Sequence, residues 1–144
     1  NNITIIDDYG HHPTEIKASL GAVKEMNDIK AKRGKVIAVM QPHRYSRLYD
    51  LFNEFSHCLI EADKIFVTDV YAAGEQEISG INKMALIKAI QNNGHKNVYA
   101  VDDLNYVEIL LKEHLSENDT VIFMGAGDIT KYANSLPAKL ENIL

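Results

Sequence analysis

Five short, near-continuous apolar runs, each followed by a stretch with helical spacing, divide the chain from end to end. The runs are Ile3–Asp7, Lys35–Gln41, Lys64–Asp69, Asn97–Val101 and Thr120–Met124. They are rich in Val, Ile and Phe and lack the polar alternation of a half-exposed strand. They therefore predict parallel strands covered on both faces. Helical patterns occupy Pro13–Ile29, Ser46–Glu61, Lys83–Asn92, Asp103–His114 and Ile129–Leu140. Pro13 suits a first helical turn, and Glu15 behind it complements the positive helix end. Ile16, Leu20, Val23 and the Met26/Asn27 pair approximate one face, although Gly21 within it costs about 1 kcal/mol relative to alanine. Tyr49, Phe52 and Phe55 at helical spacing read as core. Ala31–Gly34, Gln91–Lys96 with Gly94, and Ser116–Asp119 mark returns from helix to strand. Five β–α units in succession predict a doubly wound α/β fold: a mostly parallel sheet with helices on both faces and right-handed crossovers. No repeat, low-complexity stretch or internal linker interrupts residues 1–144, so the chain reads as a single domain.

Composition narrows the partners. The 144 residues are 46% hydrophobic and 24% charged, with a formal net charge of -5. An acidic body does not suit nonspecific nucleic-acid binding, which needs a broad basic face. A local basic cluster on such a body suits a small anionic ligand. The single cysteine, Cys58, sits in an apolar helical pattern beside Phe55 and Leu59 and reads as a small buried hydrophobe. It permits no disulfide within the chain, in keeping with a reducing cytoplasm. No run of eighteen apolar residues occurs, and the first residues lack a basic-then-apolar signal. The chain opens directly on a strand-like segment, which suggests a domain excised from something longer.

The chemistry gathers after the strands. Asp7-Asp8-Tyr9-Gly10-His11-His12-Pro13 follows the first apolar run, and Gln41-Pro42-His43-Arg44-Tyr45-Ser46-Arg47 follows the second. Together they hold three of six histidines and two of three arginines. Ligands of open α/β sheets bind beyond the carboxyl ends of the strands. Those two loops, Asp69–Glu75 and Gly125–Asp128 all fall there, whereas the opposite turns are plain Gly, Lys and Asn connections. Asp8, His11 and His12, with His43, match no zinc spacing. One of the paired histidines can cap the helix while the other pairs with Asp7 or Asp8; a histidine at this helix start can equally meet an anion. Arg44 and Arg47 offer forked donors suited to carboxylate or phosphate oxygens. The bland alternative pairs them with neighbouring Glu or Asp, but cations at a helix start oppose its dipole. Gly125-Ala126-Gly127 has two glycines of a dinucleotide fingerprint, yet Thr130 replaces the third and no later strand carries a ribose-binding acid. A tight turn that lets the helix approach the sheet explains it better. Tyr71-Ala72-Ala73-Gly74-Glu75 can line a small pocket or form a plain turn.

Taken together, Asp7 to Glu15, Gln41 to Arg47, Asp69 to Glu75 and Gly125 to Ile129 resemble the C-terminal domain of the Mur ligases in order and spacing across nearly the whole chain. The resemblance implies a cytoplasmic, ATP-dependent amide ligase of peptidoglycan synthesis with three domains: one for a UDP-sugar, a central ATPase, and this one. It implies ATP and Mg2+ held mainly by the central domain, and, from the His-Arg-Tyr-Ser-Arg segment, the branch that joins L-alanine to UDP-N-acetylmuramate through an acyl phosphate. No Gly-Lys-Ser/Thr loop is present, so a chain with only this domain is expected to lack ligase activity.

By the same resemblance, Arg44 and Arg47 meet substrate oxyanions, while Tyr9, His11 and His12, with His43, line the amino-acid and acyl-phosphate region. Asp69, Tyr71 and Glu75 flank the alanine, and Asp8 meets the ATP ribose or the hinge. The murein tripeptide-recycling branch of the family shares the His-His-Pro loop and stands as the nearest rival. A noncatalytic α/β module for a nucleotide or another anion is the rival from a different class. All of these roles require the two arginines and the paired histidines to share one rim of the sheet.

Overall fold

The computed structural model describes residues 2–29 and 34–143; the expected turn at Ala31–Gly34 lies outside the described residues except for Gly34. Five parallel strands run β1 (Thr4–Asp8), β2 (Val36–Met40), β3 (Lys64–Thr68), β4 (Val98–Val101) and β5 (Thr120–Met124), in the spatial order β1-β5-β2-β3-β4. Each expected strand forms within one residue of its predicted limits. Burial follows position: β2 and β5 are buried at every residue, while β1 and β4 stand at the sheet edges and are only partly covered.

Alternate residues of the central strands feed two cores, as a period of two requires. Val36, Ala38 and Met40 of β2, Ile65 and Val67 of β3, and Ile122 and Met124 of β5 pack on one face. They meet Ile16, Leu20 and Val23 of α1 (Pro13–Ile29), Leu48 of α2 (Tyr45–Asp50), Phe55 of α3 (Phe52–Phe55), and Leu86, Ile87 and Ile90 of α4 (Lys83–Asn92). Ile37, Val39, Phe66, Val121 and Phe123 pack on the other face against α5 (Val107–Lys112) and α6 (Ile129–Ile143). Each of these large side chains stabilises the fold by roughly 1.5–3 kcal/mol through burial. The chain steps from β1 to β4 with helices on the first face and returns to β5 with helices on the second. That reversal of direction with change of face is what a single crossover hand demands.

Two helices depart from expectation. The pattern over Ser46–Glu61 breaks at Leu51, which ends α2 and starts α3 with φ -117 and ψ 26. Beyond Phe55 the chain tightens into turns because side chains compete for the helix carbonyls. Ser56 Oγ donates to Asn53 O at 2.6 Å, His57 Nδ1 lies 2.8 Å from the same oxygen, and Asn93 Nδ2 takes Ser56 O at 3.1 Å. The break also turns Tyr49 outward: it is 60% exposed, and only Phe52 and Phe55 join the core. The expected helix over Asp103–His114 opens as a 3₁₀ turn at Leu104–Tyr106, with Asp103 accepting from Asn105 N at 2.9 Å. Cys58 is 5% exposed, and burial pushes its thiol up to about 12, so it is an inert core residue.

Candidate functional site

All five strands point their carboxyl ends to one rim, and the loops there interlock. After β1, Gly10 N donates to Asp8 Oδ1 at 2.7 Å, turning the chain into α1. His12 is the residue before that helix: its carbonyl accepts from Ile16 N, and its Nδ1 accepts from Thr14 N at 3.1 Å. Glu15 reaches back to His11 N at 3.3 Å and His12 N at 3.2 Å, and these two backbone donors hold its carboxyl below the ordinary value. So one histidine does cap the helix. The other pairs with neither Asp7 nor Asp8: His11 Nδ1 contacts Tyr9 O at 3.0 Å and lies 3.7 Å from Glu15. Asp7 instead accepts from Thr130 Oγ1 of α6 at 3.0 Å. Tyr9 projects outward, 65% exposed.

After β2, the backbone is pinned to the loop after β3. Tyr71 N donates to Pro42 O at 2.8 Å and Arg44 N to Tyr71 O at 2.8 Å. This clamp holds Arg44 at φ 75, a conformation that costs a non-glycine residue about 1–3 kcal/mol. The His43 ring stacks on Tyr71, centroids 5.4 Å apart, and lies 6.1 Å from the His11 ring. Arg47 Nη1 stands 3.3 Å from His43 Nδ1. Burial, with the neighbouring Arg47 and Arg44, depresses the His43 pKa. Glu75 has a role the sequence pattern did not reveal. It accepts from Ser46 Oγ at 2.6 Å and from Ser46 N at 3.1 Å, satisfying the start of α2 where Arg44 makes no side-chain cap. Those bonds, the hydroxyl's first, lower its pKa.

Neither arginine is paired with an acid: among the described residues no carboxylate lies within 4.0 Å of the Arg44 or Arg47 guanidinium. The structure therefore brings Asp8, His11, His43, Arg44, Arg47, Tyr71 and Glu75 to one rim. Asp69 stands further along it. Of the two arginines and the paired histidines, Arg47 and His11 each lie against His43 on this rim.

Lys83 escaped the sequence pattern, and Gln41 and Gly127 stood within its motifs without the contacts they make. Lys83, at the start of α4, lies 3.0 Å from Asp69 and 2.8 Å from Asp102 and donates to Val101 O at 3.2 Å. Burial opposes its charge, yet the two carboxylates outweigh it and raise its pKa. Gln41 Nε2 donates to Asp128 Oδ1 at 2.8 Å, tying the second loop to the last. Gly127 is required bare, because a Cβ there would lie 2.6 Å from Tyr71 Cγ and 2.6 Å from Gln41 Oε1. The tight-turn reading of the glycine pair is thus the observed one. A cleft of about 280 Å³ opens between these groups, lined by Gln41, Asp69, Tyr71, Asp102, Asp128 and Tyr132 among others. No group of three His, Cys, Asp or Glu among the described residues is disposed to hold a metal ion.

This parallel α/β domain thus carries on its carboxyl rim two guanidinium groups without an acid partner, beside a histidine whose ring stacks on Tyr71. It belongs to the Mur ligase family: residues 1–127 match the Mur ligase, glutamate ligase domain. The chain is 47% identical over 98% of its length to UDP-N-acetylmuramate–L-alanine ligase of Rhodospirillum centenum, of which it spans 28%. A crystal structure of UDP-N-acetylmuramate-alanine ligase from Thermotoga maritima matches with a TM-score of 0.76 at 29% identity, over 99% of this chain and 28% of that one. A murein peptide ligase from Psychrobacter arcticus matches with a TM-score of 0.74 at 19% identity, over 100% of this chain and 28% of that one. The chain thus spans little more than a quarter of these relatives.

Proposed function

We propose that this chain is the C-terminal domain of a three-domain, ADP-forming ligase that joins L-alanine to UDP-N-acetylmuramate in the cytoplasm. The observation that carries this reading is the pair of acid-free guanidinium groups, Arg44 and Arg47, on the imidazole-bearing rim. The 47% identity to a relative named for that reaction supplies the substrate class.

In this reading the muramoyl carboxylate takes the γ-phosphoryl group of ATP, releasing ADP. The neutral alanine amine then attacks the acyl carbon, the acyl C–O bond breaks, phosphate leaves with its electron pair, and the nitrogen gives up a proton to form the amide. Both substrates carry carboxylates and the intermediate carries a phosphoryl group, so forked donors suit every stage. The rim closes over the reacting atoms, with Tyr9 and His11 at its leading edge. Closure shields the acyl phosphate from water. Asp69 and Tyr71 flank the amino acid, and Asp8 meets the ATP ribose. His12 and Glu75 act by fixing the loops, through the caps they make. Mg2+ would neutralise phosphate oxygens, but the residues described here do not form a site for it, and the nucleotide and metal belong to the central domain. The isolated chain is accordingly inactive. The identity to the alanine-adding relatives favours alanine over murein tripeptide as the amine.

The test uses the full-length enzyme that carries this chain. Product should form from ATP, alanine and UDP-N-acetylmuramate, and not when tripeptide replaces alanine. Arg44→Ala should lower kcat/KM by about 10- to 100-fold, the worth of one charge-assisted hydrogen bond. An unchanged kcat/KM removes Arg44 from the site, and product from the chain alone refutes the domain assignment.

A further inference from the structure

Arginine has five N–H donors and no acceptor. Arg47 Nη1 faces His43 Nδ1 at 3.3 Å and the His43 carbonyl oxygen at 3.4 Å. The ring nitrogen must present its lone pair to the guanidinium, which makes His43 the tautomer protonated at Nε2 and leaves the ring neutral. A doubly protonated ring would set N–H against N–H. The surroundings agree. Burial first, then the charges of Arg47, Arg44 and His11, hold the His43 pKa below 6.5, and Glu75 alone acts the other way. The ring has little freedom to turn, because it stacks on Tyr71 at an interplanar angle of 14° and its backbone pairs with Tyr71. Tyr71 keeps that seat only because Gly127 is bare beneath it.

We infer that His43 is a positioning residue for Arg47: seated by Tyr71, it fixes one edge of the guanidinium and leaves the remaining donors aimed outward for a substrate oxyanion. The inference rests on the ligase reading and deepens it, separating the side chain that meets substrate from the one that aims it.

Four variants of the full-length enzyme test it. His43→Phe keeps a flat ring against Tyr71 without the acceptor, and His43→Asn keeps an acceptor oxygen near the Nδ1 position without the stack. Arg47→Ala and the His43→Phe/Arg47→Ala double variant complete the cycle. His43→Phe should raise the same KM that Arg47→Ala raises, by about tenfold, with kcat within about twofold. His43→Asn should recover most of the loss, and the double variant should be no worse than Arg47→Ala. Wild-type KM values in His43→Phe or in Arg47→Ala, or single effects that multiply in the double variant, overturn the inference. An arm independent of turnover reads the ring itself by NMR with ¹⁵N-labelled histidine. His43 should be protonated at Nε2 alone near neutral pH, and its pKa should rise in Arg47→Ala. Protonation at Nδ1, or an unmoved pKa, overturns the contact. If the wild-type enzyme makes no product with alanine, the ligase reading fails while the NMR arm still judges the pairing of His43 with Arg47.

Discussion

At the amino-terminal rim of the sheet, acids serve the backbone. Asp119, 1% exposed, accepts from Lys35 N and Ser116 N at 2.8 Å each, and Asp63 accepts from Val36 N at 2.8 Å. The histidines there are also committed. His95 Nε2 meets Ala62 O at 2.6 Å, and His114 packs against Phe66 and Tyr99 with Lys64 beside it. At the carboxyl rim several acids likewise close turns, but Arg44 and Arg47 are left without a carboxylate, beside a histidine that cannot neutralise them. At the first rim the named acids are spent on backbone donors, whereas at the second two guanidinium groups stand without an acid within 4.0 Å. In the proposed ligase these acid-free guanidinium groups are the ones an incoming anion would meet.

The comparison breaks most severely if Asp119 proves dispensable. Asp119→Ala strands two donors at a buried corner and should cost about 2–4 kcal/mol in urea unfolding of the chain. Next in size, Arg47→Ala should leave that unfolding midpoint within about 0.5 kcal/mol of wild type while lowering kcat/KM of the full-length enzyme at least tenfold. An arginine whose loss unfolds the domain belongs to the structural rim instead. Lys83→Met should cost less than about 1 kcal/mol, because Asp69 and Asp102 are largely exposed and water screens their pairing. A larger loss would show that the bridge between the ends of β3 and β4 is structural.

The smallest effect is a pH slope. His43 and His114 both have folded pKa values below the ordinary 6.5, so the unfolded chain binds more protons as pH falls. Their contribution is full above pH 6.5 and is lost as pH drops through the folded values. Stability should fall between about pH 7 and pH 5, and His114→Phe should flatten part of that slope in thermal melts. A slope of opposite sign would contradict the lowered pKa values of the two rings.

Much of the fold could be read along the chain because strand and helix signals are local. Apolar runs of five to seven residues leave a buried parallel strand little alternative, and α1 and α4 form over the residues their periodicity marks. The helix after β2 misled because its ending depends on Asn93, thirty-seven residues away, capturing the carbonyl and hydroxyl of Ser56. Arg44, Arg47 and the paired histidines stood out as residue types that a plain turn does not need. Lys83 did not, because a lysine at a helix start has an ordinary explanation until its neighbours are known, and the motifs that hold Gln41 and Gly127 gave no sign that one ties to Asp128 and the other lies against Tyr71.

By itself, then, the order of residues determined which segments became strands and which loops fell at their carboxyl ends, since hydrophobic period and turn chemistry act over a few positions. Only the packed sheet decided that β5 lies between β1 and β2, that Tyr71 stacks on His43, and that Glu75 engages α2 and leaves both arginines without an acid. Those pairings join atoms from distant strands, and their energies exist only once the chain has brought them within hydrogen-bonding reach.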